Sequence, residues 1–178
     1  MVSATLVGSR MVRILWVCRF ALVALSIGFT PALAQSTDQS PSADNNWASG
    51  CSASARSAPL DCSVVQQVID ANTGRLKAML RVRVPGDTKS PVMLVQMPLG
   101  LYLPAQVTMA IDGAAATTIA FQTCDANGCY AGMEVTPTLL NAMLKGQILA
   151  LQVQNQAHES TSVPIALAGF AKAYSQIQ

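Results

Sequence analysis

The sequence is short of charge. Lys, Arg, Asp and Glu make up 11% of its 178 residues, less than half the share of about 25% usual in soluble domains. A disordered chain would be rich in charge and poor in apolar residues, but here 51% are hydrophobic, which excludes that class. Aromatic residues are scarce at 5%, and His158 is the one histidine. It lies far from the cysteines, and neither cysteine pair has zinc-ribbon spacing, so no metal site is expected. Basic charge is also lacking where it would matter. Arg10, Arg13 and Arg19 lie within the first 34 residues, and the remainder carries eight cations against nine carboxylates. Bulk attraction to a polyanion is excluded, and no nucleic-acid partner is expected. There is no glycine-flanked nucleophilic serine, zinc-binding helix motif or phosphate loop. Beyond residue 34, no run is long and apolar enough to span a bilayer.

What is present begins with an address. Three arginines precede the uncharged run Phe20–Phe29; Pro31 breaks it, and Ala32-Leu33-Ala34 offers small residues to a signal peptidase. These parts make a secretory signal peptide over 1–34, with cleavage after Ala34. An uncleaved anchor over Ile14–Leu33 would have to bury Arg19. Cys18 precedes the apolar run, so it is not a lipoprotein-type acceptor. Residues 35–46 (QSTDQSPSADNN) contain no large apolar side chain. They cannot offset their ordering entropy by burial and are expected to form a flexible polar leader. The folded domain is expected over 47–178.

Four cysteines remain after Cys18: Cys51, Cys62, Cys124 and Cys129. An even count in an exported chain points to disulfides, and four cysteines allow three pairings. Local pairing is expected, Cys51 with Cys62 and Cys124 with Cys129. Asn127-Gly128 is a tight-turn signal that would bring the second pair within bonding range. A redox-active pair would have two intervening residues at a helix N-terminus, not four in a hairpin.

The rest reads as short strands. Over Arg75–Val84, Leu76, Ala78, Leu80, Val82 and Val84 alternate with Arg75, Lys77, Arg81 and Arg83, the period of a half-buried strand. Val64–Ile69 precedes it across the turn Ala71–Gly74. Val92–Val95 is continuously apolar, as in a strand covered on both faces or at a sandwich core. Further strands are expected at Val107–Ile111, Ile119–Cys124, Cys129–Val135, Leu149–Val153 and Val163–Leu167, with Pro164 marking an edge. One helix is expected after the N-cap Thr136 and Pro137, stopped by Gly146. Phe170, Ala173, Tyr174 and Ile177 suit a short terminal helix or an extended C-terminal tail, so one helix is counted in the expected fold. About eight strands with close turns predict an all-β antiparallel sandwich, because each apolar sheet face needs the other.

Several segments together resemble the invasion-associated locus B family of bacterial envelope proteins. They are Trp47 with Cys51 and Cys62; Met97–Pro104 (MPLGLYLP); Ile111-Asp112-Gly113; Phe121–Cys124 followed by Gly128–Ala131; Leu144-Lys145-Gly146; and Leu167–Ala173. The resemblance implies an immunoglobulin-like β-sandwich, a periplasmic or surface-associated location in a Gram-negative bacterium, and no assigned catalytic residues or cofactor.

Candidate sites follow. The row Arg75, Lys77, Arg81 and Arg83 could meet an anionic surface or acidic partner, or be the solvated face of an edge-proximal strand. The near-neutral balance favours the second reading. Leu99–Pro104 is either an exposed partner patch, decided by Tyr102, or a cap on the core; the core reading is preferred. Six methionines after residue 34, Met93 and Met97 among them, are expected to fill core gaps rather than bind copper. The leading expectation is a non-catalytic envelope binding or adaptor module whose partner is another envelope or host protein. The alternative is a small periplasmic hydrolase using His158 with a distant acid, since its neighbours Glu159 and Ser160 share one polar loop and such neighbours rarely reach the required orientation.

Overall fold

A computed structural model of the protein describes residues 47–178. The expected signal peptide and polar leader lie outside the described residues. In chain order the elements are β1 Ala48–Ser52, β2 Asp61–Ile69, β3 Leu76–Val84, β4 Val92–Met97, β5 Val107–Ile111, β6 Thr117–Ile119, β7 Phe121–Asp125, β8 Gly128–Glu134, α1 Pro137–Lys145, β9 Ile148–Gln154, β10 Ser160–Ala166 and α2 Phe170–Ser175. A 3-10 turn at Leu103–Ala105 precedes β5. The strands form two antiparallel sheets, ordered β1-β2-β3-β4-β8-β7 and β10-β9-β5-β6.

The predicted two-layer sandwich is present. Inward residues of the larger sheet (Val64, Leu80, Val82, Met93, Val95) share one core with Val107, Met109, Leu149, Leu151 and Ile165 of the smaller. Each fully buried aliphatic side chain is worth about 1.5–3 kcal/mol relative to exposure. The period-two pattern of β3 is realised: Ala78, Leu80, Val82 and Val84 are buried while Lys77, Arg81 and Arg83 are exposed. Arg75 falls in the preceding turn, since β3 begins at Leu76. Met93 and Met97 are core fillers.

Several expectations need correction. β3 is flanked by β2 and β4, so its cations do not guard an edge. Of the two forms expected for the apolar run in β4, the structure has the strand at a sandwich core: Met93, Val95 and Met97 are buried, while Val92 and Leu94 are half-buried. The apolar alternation from Ile119 to Cys124 is two strands, because the chain crosses at Ala120 from the smaller sheet to the larger. Alternation reports which side chains are inward, and both strands face the same core.

The expected helix α1 forms, and the C-terminal tail, left open as helix or extended, folds as the short helix α2. The Thr136 hydroxyl caps α1 by accepting from the Leu139 amide at 3.2 Å. Gly146 ends that helix with extended backbone, φ −73° and ψ 167°, not the left-handed turn a terminal glycine suggests. Its role is space: a Cβ there would lie 2.6 Å from Ile111 and 2.7 Å from the Ala142 carbonyl.

Both disulfides join the expected neighbours, Cys51–Cys62 and Cys124–Cys129. Each links directly opposed residues of adjacent strands. Each therefore pins an edge strand of the larger sheet, β1 at one side and β7 at the other. The β7–β8 loop is Ala126-Asn127, with the Asn127 amide donating to the Asp125 carboxylate at 2.7 Å. Gly128 itself opens β8 at φ 147°, where a Cβ would run into the Met97 carbonyl. It is required for close approach, beyond the turn it helps to make.

Candidate functional site

The segments that carried the family resemblance pair up in space. Ile111-Asp112-Gly113 meets Leu144-Lys145-Gly146: the Asp112 carboxylate accepts from the Ile148 amide at 2.8 Å and from Gln147, beside the tight contact at Gly146. Met97 meets Gly128-Cys129 across the β4–β8 pairing. Trp47 meets the C-terminal segment: its indole N–H donates to the Ala166 carbonyl at 3.0 Å, and its ring packs edge-on to Phe170 at 4.8 Å. Phe170 stacks on Tyr174 at 5.6 Å. These residues hold the fold together. The exception is the loop Pro98–Pro104.

That loop lies at one end of the sandwich, with the β2–β3 turn and the β9–β10 hairpin. Its position is fixed by backbone: Tyr102 N–H donates to the Gln154 carbonyl at 2.8 Å, and Leu101 bridges Asn155. Leu99, Tyr102 and Leu103 remain 55%, 37% and 40% exposed. The preferred core-cap reading is therefore corrected; only Leu101 packs against the core, half-buried. The remaining side chains point outward because a loop held by its backbone leaves them no inner surface to fill.

Behind this loop the two sheets part. An apolar cleft of about 390 Å³ opens between the β2–β3 hairpin and β10. Val68, Ile69, Leu76, Met97, Leu101, Val153 and Val163 line it, with Lys77, Asn155, Thr161 and Ser162 as its polar members. No sequence pattern announces it, because most of its walls are residues of ordinary strands. On the buried face of β2, two residues before Val68, Gln66 is 3% exposed and its Oε1 has no hydrogen-bond partner.

The cation row divides. Lys77 Nζ lies 2.9 Å from Asp70 Oδ2, and Arg83 Nη2 lies 2.6 Å from Asp61 Oδ2. The Lys77 ammonium, then the Thr73 and Asn72 amides, hold the Asp70 carboxyl down at about 2. Asp61 is also held below its ordinary value, first by the Gly86 amide and then by Arg83. Two of the four cations are thus already matched by carboxylates of this chain. Arg81 projects from β3 toward solvent, and Arg75 lies in the turn before it.

His158 sits exposed in the β9–β10 hairpin at φ 61°. Its ring packs edge-on against Tyr102 at 4.2 Å. The neighbouring Glu159 carboxylate accepts from Asn155 Nδ2 at 2.7 Å. Sequence adjacency therefore joins His158 to the exposed loop and leaves its acidic neighbour serving the hairpin. Among the described residues, no His, Cys, Asp and Glu cluster could hold a metal, and no helix is long and apolar enough to cross a membrane.

The comparisons with known proteins agree with this architecture. The model of the invasion associated locus B (IalB) protein family matches residues 47–178. Among curated proteins, none matches. The crystal structure of invasion associated protein B from Bartonella henselae is similar in fold, with a TM-score of 0.64 at 17% identity, covering 76% of this chain and 94% of that one. Since the family match spans the whole described domain, from Trp47 to Gln178, the chain belongs to the invasion associated locus B family.

Proposed function

We infer that the protein is exported to the periplasm or outer surface of a Gram-negative envelope and works there without catalysis, as a binding or adaptor module. The signal-peptide pattern over 1–34 supports export, and two disulfides suit an oxidising compartment. The observation that carries the binding role is the loop Leu99–Leu103. It exposes apolar side chains, yet its backbone is anchored to β9 at Tyr102 and Leu101. An apolar surface held rigid loses little entropy when a partner covers it. The partner in this reading is another envelope or host protein.

The test is photo-crosslinking in intact cells. A photoreactive residue at Leu99 or Leu103 is expected to trap a discrete partner that the same probe at Asn141, on the far end in α1, does not. Identical capture at both positions would end the reading. Fractionation of the same cells locates the protein, and recovery with the cytoplasmic fraction would end the export reading.

A further inference from the structure

We propose that the cleft behind the loop binds the acyl chain of an anionic single-chain amphiphile, with the carboxylate or phosphate head at Lys77. The proposal rests on reading this end of the sandwich as the binding surface, and adds a ligand class to it.

The cleft has two chemically distinct parts. Its walls are aliphatic side chains and Met97, with no aromatic ring among the lining residues. Such walls conform to a flexible hydrocarbon chain and offer no platform for stacking a flat ligand. A volume of about 390 Å³ lies within the range of roughly 300–1,000 Å³ typical of small-ligand sites. Its polar border carries one charge among the lining side chains, the Lys77 ammonium, with the Thr161 and Ser162 hydroxyls. Asn155 adds little, since its amide is committed to Glu159.

Lys77 is able to move. Its side chain is 51% exposed, and it holds only Oδ2 of Asp70. Oδ1 of that carboxylate is already served by the Asn72 and Thr73 amides and the Thr73 hydroxyl. Turning the ammonium to a ligand's head group therefore leaves Asp70 still hydrogen-bonded. Charge complementarity selects an anionic head.

Other occupants fit less well. The chain's own segment 35–46 has no large apolar residue to insert. A peptide adding a strand along β10 would meet Pro164, which is paired with β9 yet supplies no N–H.

The experiment is calorimetric titration of the purified, disulfide-intact protein with laurate, kept below its micelle concentration. One saturable site is expected. Val68→Phe, which fills the cleft from its wall, should weaken binding at least about tenfold. Ile69→Glu alters a residue already 48% exposed, so it keeps the fold while placing a carboxylate at the apolar wall; it should weaken binding similarly. Lys77→Gln should weaken laurate but leave dodecanol unchanged. The proposal is overturned if laurate shows no saturable binding, or if Val68→Phe and Ile69→Glu both bind it like the parent. It is equally overturned if sedimentation shows a dimer that Ile69→Glu dissolves while laurate does not bind, making a second copy the occupant. Equal loss of laurate and dodecanol in Lys77→Gln removes the anionic head from the proposal. The titration needs no cellular partner, so its failure and that of the crosslinking are separate results.

Discussion

The two ends of the sandwich are built differently from the same strands. At the end where β10 finishes, the seam between the sheets is closed by rings: Trp47 reaches across to Ala166 and packs on Phe170, which stacks on Tyr174. Both helices lie at that end and touch each other. At the end where β10 begins, the same seam is lined by Val68, Leu76, Val153 and Val163 and stays open. Three rings pack together at one end, whereas no aromatic side chain lines the cleft at the other, where Tyr102 stands outside it against His158. The difference separates the two ends: the ringed one is packed shut, and the open one is the end that the function proposed above assigns to binding.

The largest expected effect tests that division. Phe170→Ala removes a fully buried ring and should destabilise by about 3–5 kcal/mol. At the open end, Ile69→Ala should change stability by under about 0.5 kcal/mol, because its side chain is half in solvent. Urea unfolding of the two variants measures both. Equal losses would mean that the open end is as much a core as the ringed end.

The disulfides sharpen the contrast. Cys51–Cys62 pins β1, the strand that follows Trp47, whereas Cys124–Cys129 pins β7. Loop-closure entropy gives about 3 kcal/mol for the sequence separation of 11 and about 2 kcal/mol for that of 5. The double variant Cys51→Ala with Cys62→Ala should therefore lose more stability than Cys124→Ala with Cys129→Ala. It should also shift the Trp47 fluorescence, which the second variant leaves alone. A reversed order would place the main staple at the open end.

Gln66 marks the boundary between the two halves. It follows the Ala48–Val65 pair along β2 and is therefore beside Trp47, with Val68 and the cleft two residues on. A buried acceptor without a donor costs about 1–3 kcal/mol, so Gln66→Leu should stabilise by about 1–2 kcal/mol in urea unfolding. A loss instead of a gain would show that the amide has a partner in solution, such as a bound water at the floor of the cleft.

How much of this was legible in the sequence follows from what each signal reports. Alternation placed Leu80 and Val82 inward because a strand has only two faces. The cysteine spacing gave the staples because neighbours on a hairpin have little choice of partner. The same alternation could not show that the chain changes sheet at Ala120, since both sheets present residues to one core. Nor could it show the cleft: Val68 and Val163 read as core residues, and whether opposing side chains meet is a matter of volume across the seam. The family segments were informative about fold for the same reason that they were silent about function. Trp47, Asp112, Gly128 and Gly146 are fixed by close contacts, while Leu99–Pro104 read as either a surface patch or a core cap until the exposure of Leu99 and Tyr102 decided it. The cation row read as a solvated face, but its ion pairs were not legible, because pairing is set by what stands beside each residue in space: Asp70 lies at the β2–β3 turn and Asp61 at the start of β2.

The smallest expected effect lies at the mouth of the open end and depends on pH. The Asp70 carboxyl is held at about 2 by Lys77 and by the Thr73 and Asn72 amides, below the value of about 3.9 expected in the unfolded chain. A carboxylate whose folded pKa is depressed makes the unfolded state bind more protons as pH falls. Its contribution is therefore complete above about pH 4 and is lost on acidification toward about pH 2. Asp70→Asn should remove that part of the acid dependence and leave the ringed end untouched, with the Trp47 signal unchanged at neutral pH. Carboxyl titration by NMR checks the cause directly. An Asp70 resonance titrating near pH 4 would mean that Lys77 is not held at this carboxylate in solution, and the β2–β3 turn would then owe nothing to the ion pair.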